Sequence, residues 1–312
     1  MNRLSENTSG IPDRRPISTV LTAATARLAA AGVPSARVDA ELIAASVLGT
    51  TRSRLALSSG FTPIDEARFD ELVSRRVARE PVQHLTGSAP FRYLELAVGP
   101  GVFVPRPETE VLAGMVVDAV RAPAVDAPAG DAPTVVDLCS GSGAVALAVA
   151  HEVPGARVVA VERSTAALAW LRRNAATQAA AGDRPIEVVG GDVTDPGLLA
   201  ELTGRVDVVV CNPPYVPEAT PVPPEVAGHD PAEAVFGGPD GLAVIRPVVG
   251  LAATLLRAGG LFAVEHDDSH AAAVGALIAA DRRFVDVTGH RDLAGRPRFG
   301  TARRAAPTAG TG

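Results

Sequence analysis

The chain has 312 residues, 47% of them hydrophobic and only 4% aromatic, with a formal net charge of −6 at pH 7. This accommodates a helical module beside a full α/β domain, and the alanine-rich, aromatic-poor composition suits helices packed on a sheet rather than an all-β design. The chain has no lysine, so its basic residues are arginines, which removes Schiff-base lysines and phosphate-binding P-loops. The acidic balance also argues against direct nucleic-acid binding by general phosphate attraction.

Two cysteines, Cys139 and Cys211, are too few for a disulfide framework, and no Cys/His spacing resembles a zinc site, so no metal is expected. No apolar run reaches bilayer-spanning length and the polar first residues lack the apolar stretch of a signal peptide. The expectation is a cytoplasmic protein without membrane association.

Residues 1–15 read as a disordered N-terminus. Apolar spacing predicts helices over 17–31 and 36–48, the latter stopped by Gly49, and another over 63–79. Residues 16–88 are therefore expected to form a small helical bundle domain. Arg75, Arg76 and Arg79 give it a basic edge, read as a solvated face with a docking patch as the alternative. Residues 91–98 and 102–104, separated by Gly99-Pro100-Gly101, read as a β-hairpin, making 89–106 the connector between domains. Within it, Arg106 either pairs with a carboxylate to fasten the connector or meets a partner protein. A helix over 107–120 follows, and the Ala/Pro/Gly/Asp-rich stretch 121–133 reads as a solvated linker.

From Thr134 onward, β-branched runs at 134–138, 157–161, 186–189, 206–210 and 261–264 alternate with helical segments. That order implies an α/β domain with a doubly wound parallel sheet. Runs at 284–287 and 297–301 add two closing strands, one of them a candidate for antiparallel pairing, for seven in all. The second domain then covers 107–302, and 303–312 reads as a disordered tail.

Val136-Asp137-Leu138-Cys139-Ser140-Gly141-Ser142-Gly143 sits where the first strand of this sheet turns into a helix, the place where such sheets bind nucleotides. Cys139, Ser140, Gly141, Ser142 and Gly143 are thus candidate cofactor contacts. Glu162, ending the second strand nineteen residues after Gly143, is placed to accept hydrogen bonds from two ribose hydroxyls. Asp192, ending the third strand with Val193 beside it, is placed to read an adenine amino group. Asp137 is expected to hold the glycine turn through backbone N–H groups. Gly141, Gly143 and Ala146 also fit the dinucleotide pattern, so a nicotinamide oxidoreductase remains a rival at this point.

Cys211-Asn212-Pro213-Pro214-Tyr215 follows the fourth strand directly. An amide nitrogen is a poor nucleophile, and its methylation depends on alignment. The Asn212 side-chain oxygen and the Pro213 carbonyl can accept the two N–H bonds of an amide, turning its lone pair toward a methyl donor. Prolines offer no competing donor and hold the preceding residue extended, while Tyr215 offers an aromatic face. The same four residues also suit an adenine amine held by stacking, a second rival, and a non-catalytic nucleotide-binding protein is a third.

With these residues in hand, the chain resembles the HemK/PrmC family of protein N5-glutamine methyltransferases that act on peptide chain release factors. The resemblance runs from about Asp39 to Arg298. It is carried by 38–49, by Arg79-Glu80-Pro81-Val82-Gln83-His84-Leu85-Thr86-Gly87, by Phe103-Val104-Pro105-Arg106-Pro107-Glu108-Thr109-Glu110, by Asn212 to Tyr215, by Asp230-Pro231 with 237–242, and by Gly259-Gly260 through Glu265. It implies a Rossmann-like methyltransferase sheet, S-adenosyl-L-methionine bound by Cys139 to Gly143 with Glu162, and a target glutamine at Asn212 to Tyr215 with Phe103 lining the pocket. It also implies that the helical domain recognises a release factor. Asn212 would then touch cofactor and substrate alike, and a monomer is expected. Cys139-Ser140 stands where the family usually has Gly-Thr, Val193 replaces a frequent aromatic, and Glu265-His266-Asp267-Asp268 departs from the usual Glu-Ile-Gly. His266 and His270 are given no role, and Cys139 and Cys211 are expected to be neighbouring reduced thiols.

Overall fold

The computed structural model describes residues 14–122 and 132–306. The disorder expected for 1–13, most of the expected linker (123–131) and the end of the tail (307–312) lie outside the described residues. The chain divides into two compact units, Met1–Gly87 and Ser88–Gly312.

The first unit packs α1 (Ile17–Ala30), α2 (Ala36–Val47), α3 (Pro63–Val77) and the short α4 (Val82–Thr86) around Leu28, Ile43, Phe61 and Phe69, all fully buried. The Phe61 and Phe69 rings meet at 5.1 Å between centroids. A capping box starts α3: the Asp65 N–H donates to Thr62 Oγ1 and the Thr62 N–H to Asp65 Oδ2, satisfying donors that have no partner within the helix. Arg15 exchanges backbone hydrogen bonds with Phe61, so Arg14 and Arg15 belong to the bundle rather than to a disordered start.

The basic edge is corrected at Arg76, while the Arg75 side chain stays 41% exposed. Arg76 is buried and donates to Asp39 Oδ2 at 2.7 Å, while Ser35 Oγ donates to Asp39 Oδ1. Arg75 grips Glu80 through two nitrogens, and Arg79 Nη1 donates to the Gly32 carbonyl. All three guanidiniums tie the bundle together, because each meets an acceptor that sequence spacing does not reveal.

The second unit opens with a hairpin, β1 (Ser88–Phe91) and β2 (Leu94–Ala97), paired through Phe91↔Leu94. Its turn is therefore Arg92-Tyr93, with Arg92 at φ 51°, and not Gly99-Pro100-Gly101 as expected. Val102 and Val104 are buried beside Ala89, Val98 and Ala167 instead of pairing in a ladder. Phe91, Leu94 and Leu96 join the main core, Arg92 binds Glu152 through Nε and Nη2, and Asn174 links the Ala97 backbone to the Ser142 carbonyl. The hairpin is thus built into this unit.

There follow α5 (Thr109–Arg121), β3 (Thr134–Leu138), α6 (Ala144–Glu152), β4 (Arg157–Glu162), α7 (Thr165–Ala181), β5 (Glu187–Gly190), β6 (Val206–Cys211), α8 (Pro224–His229), α9 (Ala232–Val235), α10 (Ile245–Leu255), β7 (Leu256–Glu265), α11 (Ala271–Ala280), β8 (Phe284–Arg291) and β9 (Pro297–Arg304). The seven strands order as β5-β4-β3-β6-β7-β9-β8, with β9 alone antiparallel to its neighbours. Their Val-rich runs are buried on both faces, one against α5 and α6 and the other against α10 and α11, as parallel strands require. β9 continues to Arg304, whose Nε donates to the Ala253 carbonyl, so the first two residues assigned to the tail are strand. None of the described helices is long and apolar enough to cross a membrane.

Candidate functional site

Chain direction across the sheet reverses between β3 and β6, and ligands bind outside the carboxyl ends of strands at such a switch point. Register fixes what meets there: Leu138 pairs with Cys211 and Cys211 with Val264. Cys139, Asn212 and Glu265, each one residue further along, therefore emerge side by side. A cleft lies over these ends, where sheets of this kind place their small-molecule sites.

The turn after β3 reaches α6 through Gly143 at φ 88°, where a Cβ would strike Leu171 and Leu147. Cys139 adopts φ 60° despite its side chain. Glu162 uses both carboxylate oxygens to hold this corner, accepting from the Gly141 N–H at 2.9 Å and the Ser164 N–H at 2.8 Å. Each oxygen keeps a further lone pair for a ligand hydroxyl. Asp137 accepts from the Ala146 N–H at the start of α6, and burial pushes its carboxyl up to about 7, against hydrogen bonds from the Ser140 side chain and the Ala146 backbone. Asp192 accepts from the Thr194 backbone and hydroxyl, and these bonds hold it below the usual carboxylate range.

The cleft is lined by Cys139, Ser140, Gly141 and Ser142, by Glu162, Asp192 and Val193, and by Phe103, Asn212 and Pro214. Gly143, Pro213 and Tyr215 fall just outside its lining. Three carboxylates, Glu162, Asp192 and Glu233, border it beside the buried Asp137 carboxyl, against one guanidinium, Arg163, which itself reaches toward Asp192. That balance favours a cationic ligand and disfavours a pyrophosphate. Phe103 carries the Arg106 guanidinium over its ring at 4.7 Å, and Arg106 donates to Asp230 Oδ2 at 2.7 Å. Arg106 thus fastens the segment after the hairpin to the loop that follows Tyr215. That loop folds back through Gly241, at φ 69°, where a Cβ would strike the Tyr215 carbonyl.

Asn212 Nδ2 donates to Thr109 Oγ1 at 3.2 Å, and Thr109 Oγ1 donates to Glu265 Oε2 at 2.8 Å. Tyr215 Oη donates to the other oxygen, Oε1, at 2.9 Å. Glu265 is 1% exposed; burial pushes its carboxyl up to about 7, against the two hydroxyl bonds and Arg298. Burial likewise raises the Tyr215 hydroxyl, which keeps it a donor. The Tyr215 hydroxyl is spent on Glu265, and its ring packs against the core under β6.

Family profiles described as the PrmC N-terminal domain and the methyltransferase small domain match residues 19–87 and 121–222. A release factor glutamine methyltransferase of Mycolicibacterium smegmatis is 53% identical over 290 residues, covering 93% of this chain and 98% of its own. The protein of that name from Mycobacterium tuberculosis (strain H37Rv) is 50% identical, covering 90% and 89%. This chain belongs to the release factor glutamine methyltransferase family. Among solved structures, the hMettl16 catalytic domain in complex with MAT2A 3′UTR hairpin 6 shares the fold, with a TM-score of 0.50, 13% identity and coverage of 78% and 82%.

Membership in a methyltransferase family removes the nicotinamide oxidoreductase reading and agrees with the acidic cleft. Two departures have definite places in the structure. Cys139 occupies a left-handed position that the family's usual glycine adopts without strain. Val193 is buried against the core beneath the cleft wall. Two residues at the site, quoted in the sequence only as parts of matching or departing segments, were given no role there: Thr109, the first residue of α5, and Glu265, the last of β7. Only their shared distance from Asn212 in space marks them, and no spacing rule carries that.

Proposed function

We propose that this enzyme transfers a methyl group from S-adenosyl-L-methionine to the side-chain nitrogen of a glutamine in a peptide chain release factor, forming N5-methylglutamine. The observation that carries this reading is the polarity of Asn212. Its Nδ2 is tied back to Thr109, so Oδ1 is the end left to accept an N–H at the cleft. The names of the relatives support a release-factor glutamine as the source of that N–H.

The cleft's chemistry fits the cofactor: a carboxylate with spare lone pairs at Glu162 for a ribose diol, Asp192 and Val193 for a base, and an acidic rim for a cation. Cys139, Ser140, Gly141, Ser142 and Gly143 would form the floor beneath it. When bound, S-adenosyl-L-methionine supplies an electrophilic methyl group on a positively charged sulfur. Asn212 Oδ1 accepts one substrate N–H and the Pro213 carbonyl the other, so the amide's lone pair is aimed at the methyl. Phe103 and Pro214 exclude water, and Tyr215 backs the motif. The nitrogen would gain the methyl as the sulfur–methyl bond breaks, its electron pair remaining on the neutral thioether product, and would then release one proton to solvent.

In this reading the helical unit recognises the release factor, and the enzyme acts as a cytoplasmic monomer. Mass spectrometry of a purified release factor incubated with enzyme and cofactor provides the test. One glutamine should gain one methyl group, and the gain should vanish with Asn212→Ala. An unmodified release factor, with the cofactor measurably bound, would discard the substrate assignment.

A further inference from the structure

Asparagine's amide has two ends of nearly equal shape, so a site that needs its oxygen must specify which end faces the substrate. Thr109 Oγ1 has one proton and accepts through its lone pairs. The buried Glu265 carboxylate takes that proton through Oε2, which leaves Thr109 only acceptor capacity toward Asn212. A flipped Asn212 would set Oδ1 against those lone pairs and turn its NH₂ toward the substrate's own NH₂, two repulsive contacts in place of two hydrogen bonds.

We propose that Thr109 and Glu265 are positioning residues that set the orientation of the Asn212 amide; the inference rests on the glutamine reading above. Neither touches the reacting atoms. Glu265 sets the direction of the Thr109 hydroxyl, Thr109 sets the direction of the amide, and Tyr215, donating to Oε1 at 2.9 Å, occupies the carboxylate's other oxygen. The three contacts come from separate elements: α5, the end of β7 and the turn after β6. Each is buried or half-buried, where an unpaired polar group is costly, so the chain of donors has one low-energy direction.

Thr109→Val keeps the shape of the side chain and removes the acceptor, while Thr109→Ser keeps the acceptor. Turnover by Thr109→Val should fall about 10- to 100-fold, with cofactor affinity within about twofold of wild type. Thr109→Ser should retain most of the activity. Glu265→Gln should lose turnover too, since its NH₂ would face one of the two hydroxyls that now donate to separate carboxylate oxygens.

The second measurement does not depend on activity. The chain has four asparagines, at 2, 7, 174 and 212, so asparagine-selective isotope labelling gives a sparse side-chain NH₂ spectrum, with Asn212 assigned by substitution. Its NH₂ signal should show a slowly exchanging, hydrogen-bonded proton in wild type and Thr109→Ser and lose it in Thr109→Val. Wild-type turnover by Thr109→Val, or an unchanged Asn212 signal in it, would overturn the proposal. If the wild-type enzyme leaves release factors unmethylated, the function proposed above falls by itself, and the NH₂ spectrum still decides this inference.

Discussion

The two halves of the cleft are built by different means. At the ends of β3 and β4, side chains serve the backbone: Glu162 holds the N–H groups of Gly141 and Ser164, and Asp192 those of its own turn. At the ends of β6 and β7, side chains hold side chains across the fold: Asn212 and Thr109 are 103 residues apart in sequence, and Thr109 and Glu265 are 156 apart. A backbone cradle tolerates changed side chains, so Cys139-Ser140 can stand in place of Gly-Thr. A side-chain relay does not, because each member fixes the hydrogen-bond direction of the next.

The largest expected effects separate the halves. Asn212→Ala should lower turnover by at least about 10²- to 10³-fold and leave cofactor affinity within about twofold, measured by methyl-transfer kinetics and calorimetry. Glu162→Ala should do the reverse. On the proposed reading it removes contacts to the cofactor, and it strands the Gly141 and Ser164 N–H groups, so the cofactor dissociation constant should rise about 10- to 100-fold, with turnover at saturation changed far less. If either variant fails in both measurements, the halves are not separable.

The same contrast explains what the sequence revealed. The parallel sheet was readable because each Val-rich run is a local signal, and the proposed cofactor turn could be assembled at one cleft because its glycines, Glu162 and Asp192 recur at fixed distances from strand ends. Asn212 to Tyr215 was readable as a contiguous motif. The relay behind it was not: Thr109 lay in a recognised segment and Glu265 ended a recognised strand, yet only the pairing of β7 beside β6 brings them together. The hairpin turn was misplaced for a related reason. Glycine and proline at 99–101 are stronger local turn signals than Arg92-Tyr93, and burial of Phe91, Leu94 and Leu96 against α5 and α6 decided the register.

Acid should divide stability from activity at the relay. Burial raises the Glu265 carboxyl from 4.5 to about 7, facing Thr109 and Glu108 near the start of α5, Tyr215 after β6, and Arg298 of β9. A raised carboxyl contributes stability that is fully present below its unfolded pKa and lost as pH rises through about 7. Glu265→Gln has no such loss, so its melting temperature relative to wild type should climb between about pH 4.5 and pH 7. Turnover runs the other way: the wild type needs the ionised carboxylate and should lose activity as pH falls below about 7, a limb that Glu265→Gln should flatten. A pH-independent difference in melting temperature would show that Glu265 does not titrate in this range.

The smallest effect is expected at Cys139, and it tests the cradle side of the contrast. At φ 60°, its Cβ crowds the backbone at a cost of about 1–2 kcal/mol. Glycine removes that cost but adds unfolded-state entropy of about 0.5–1 kcal/mol and gives up packing against the core beneath the cleft. Cys139→Gly should therefore change stability by less than about 1 kcal/mol. If the turn works through its backbone, the variant should also bind the cofactor within about twofold of wild type, although Cys139 lines the cleft. Thr109→Val, an equally modest change in size, should cost far more in turnover. A tenfold loss of cofactor affinity in Cys139→Gly would mean that the thiol itself contacts the cofactor, and that this half of the cleft relies on side chains as well.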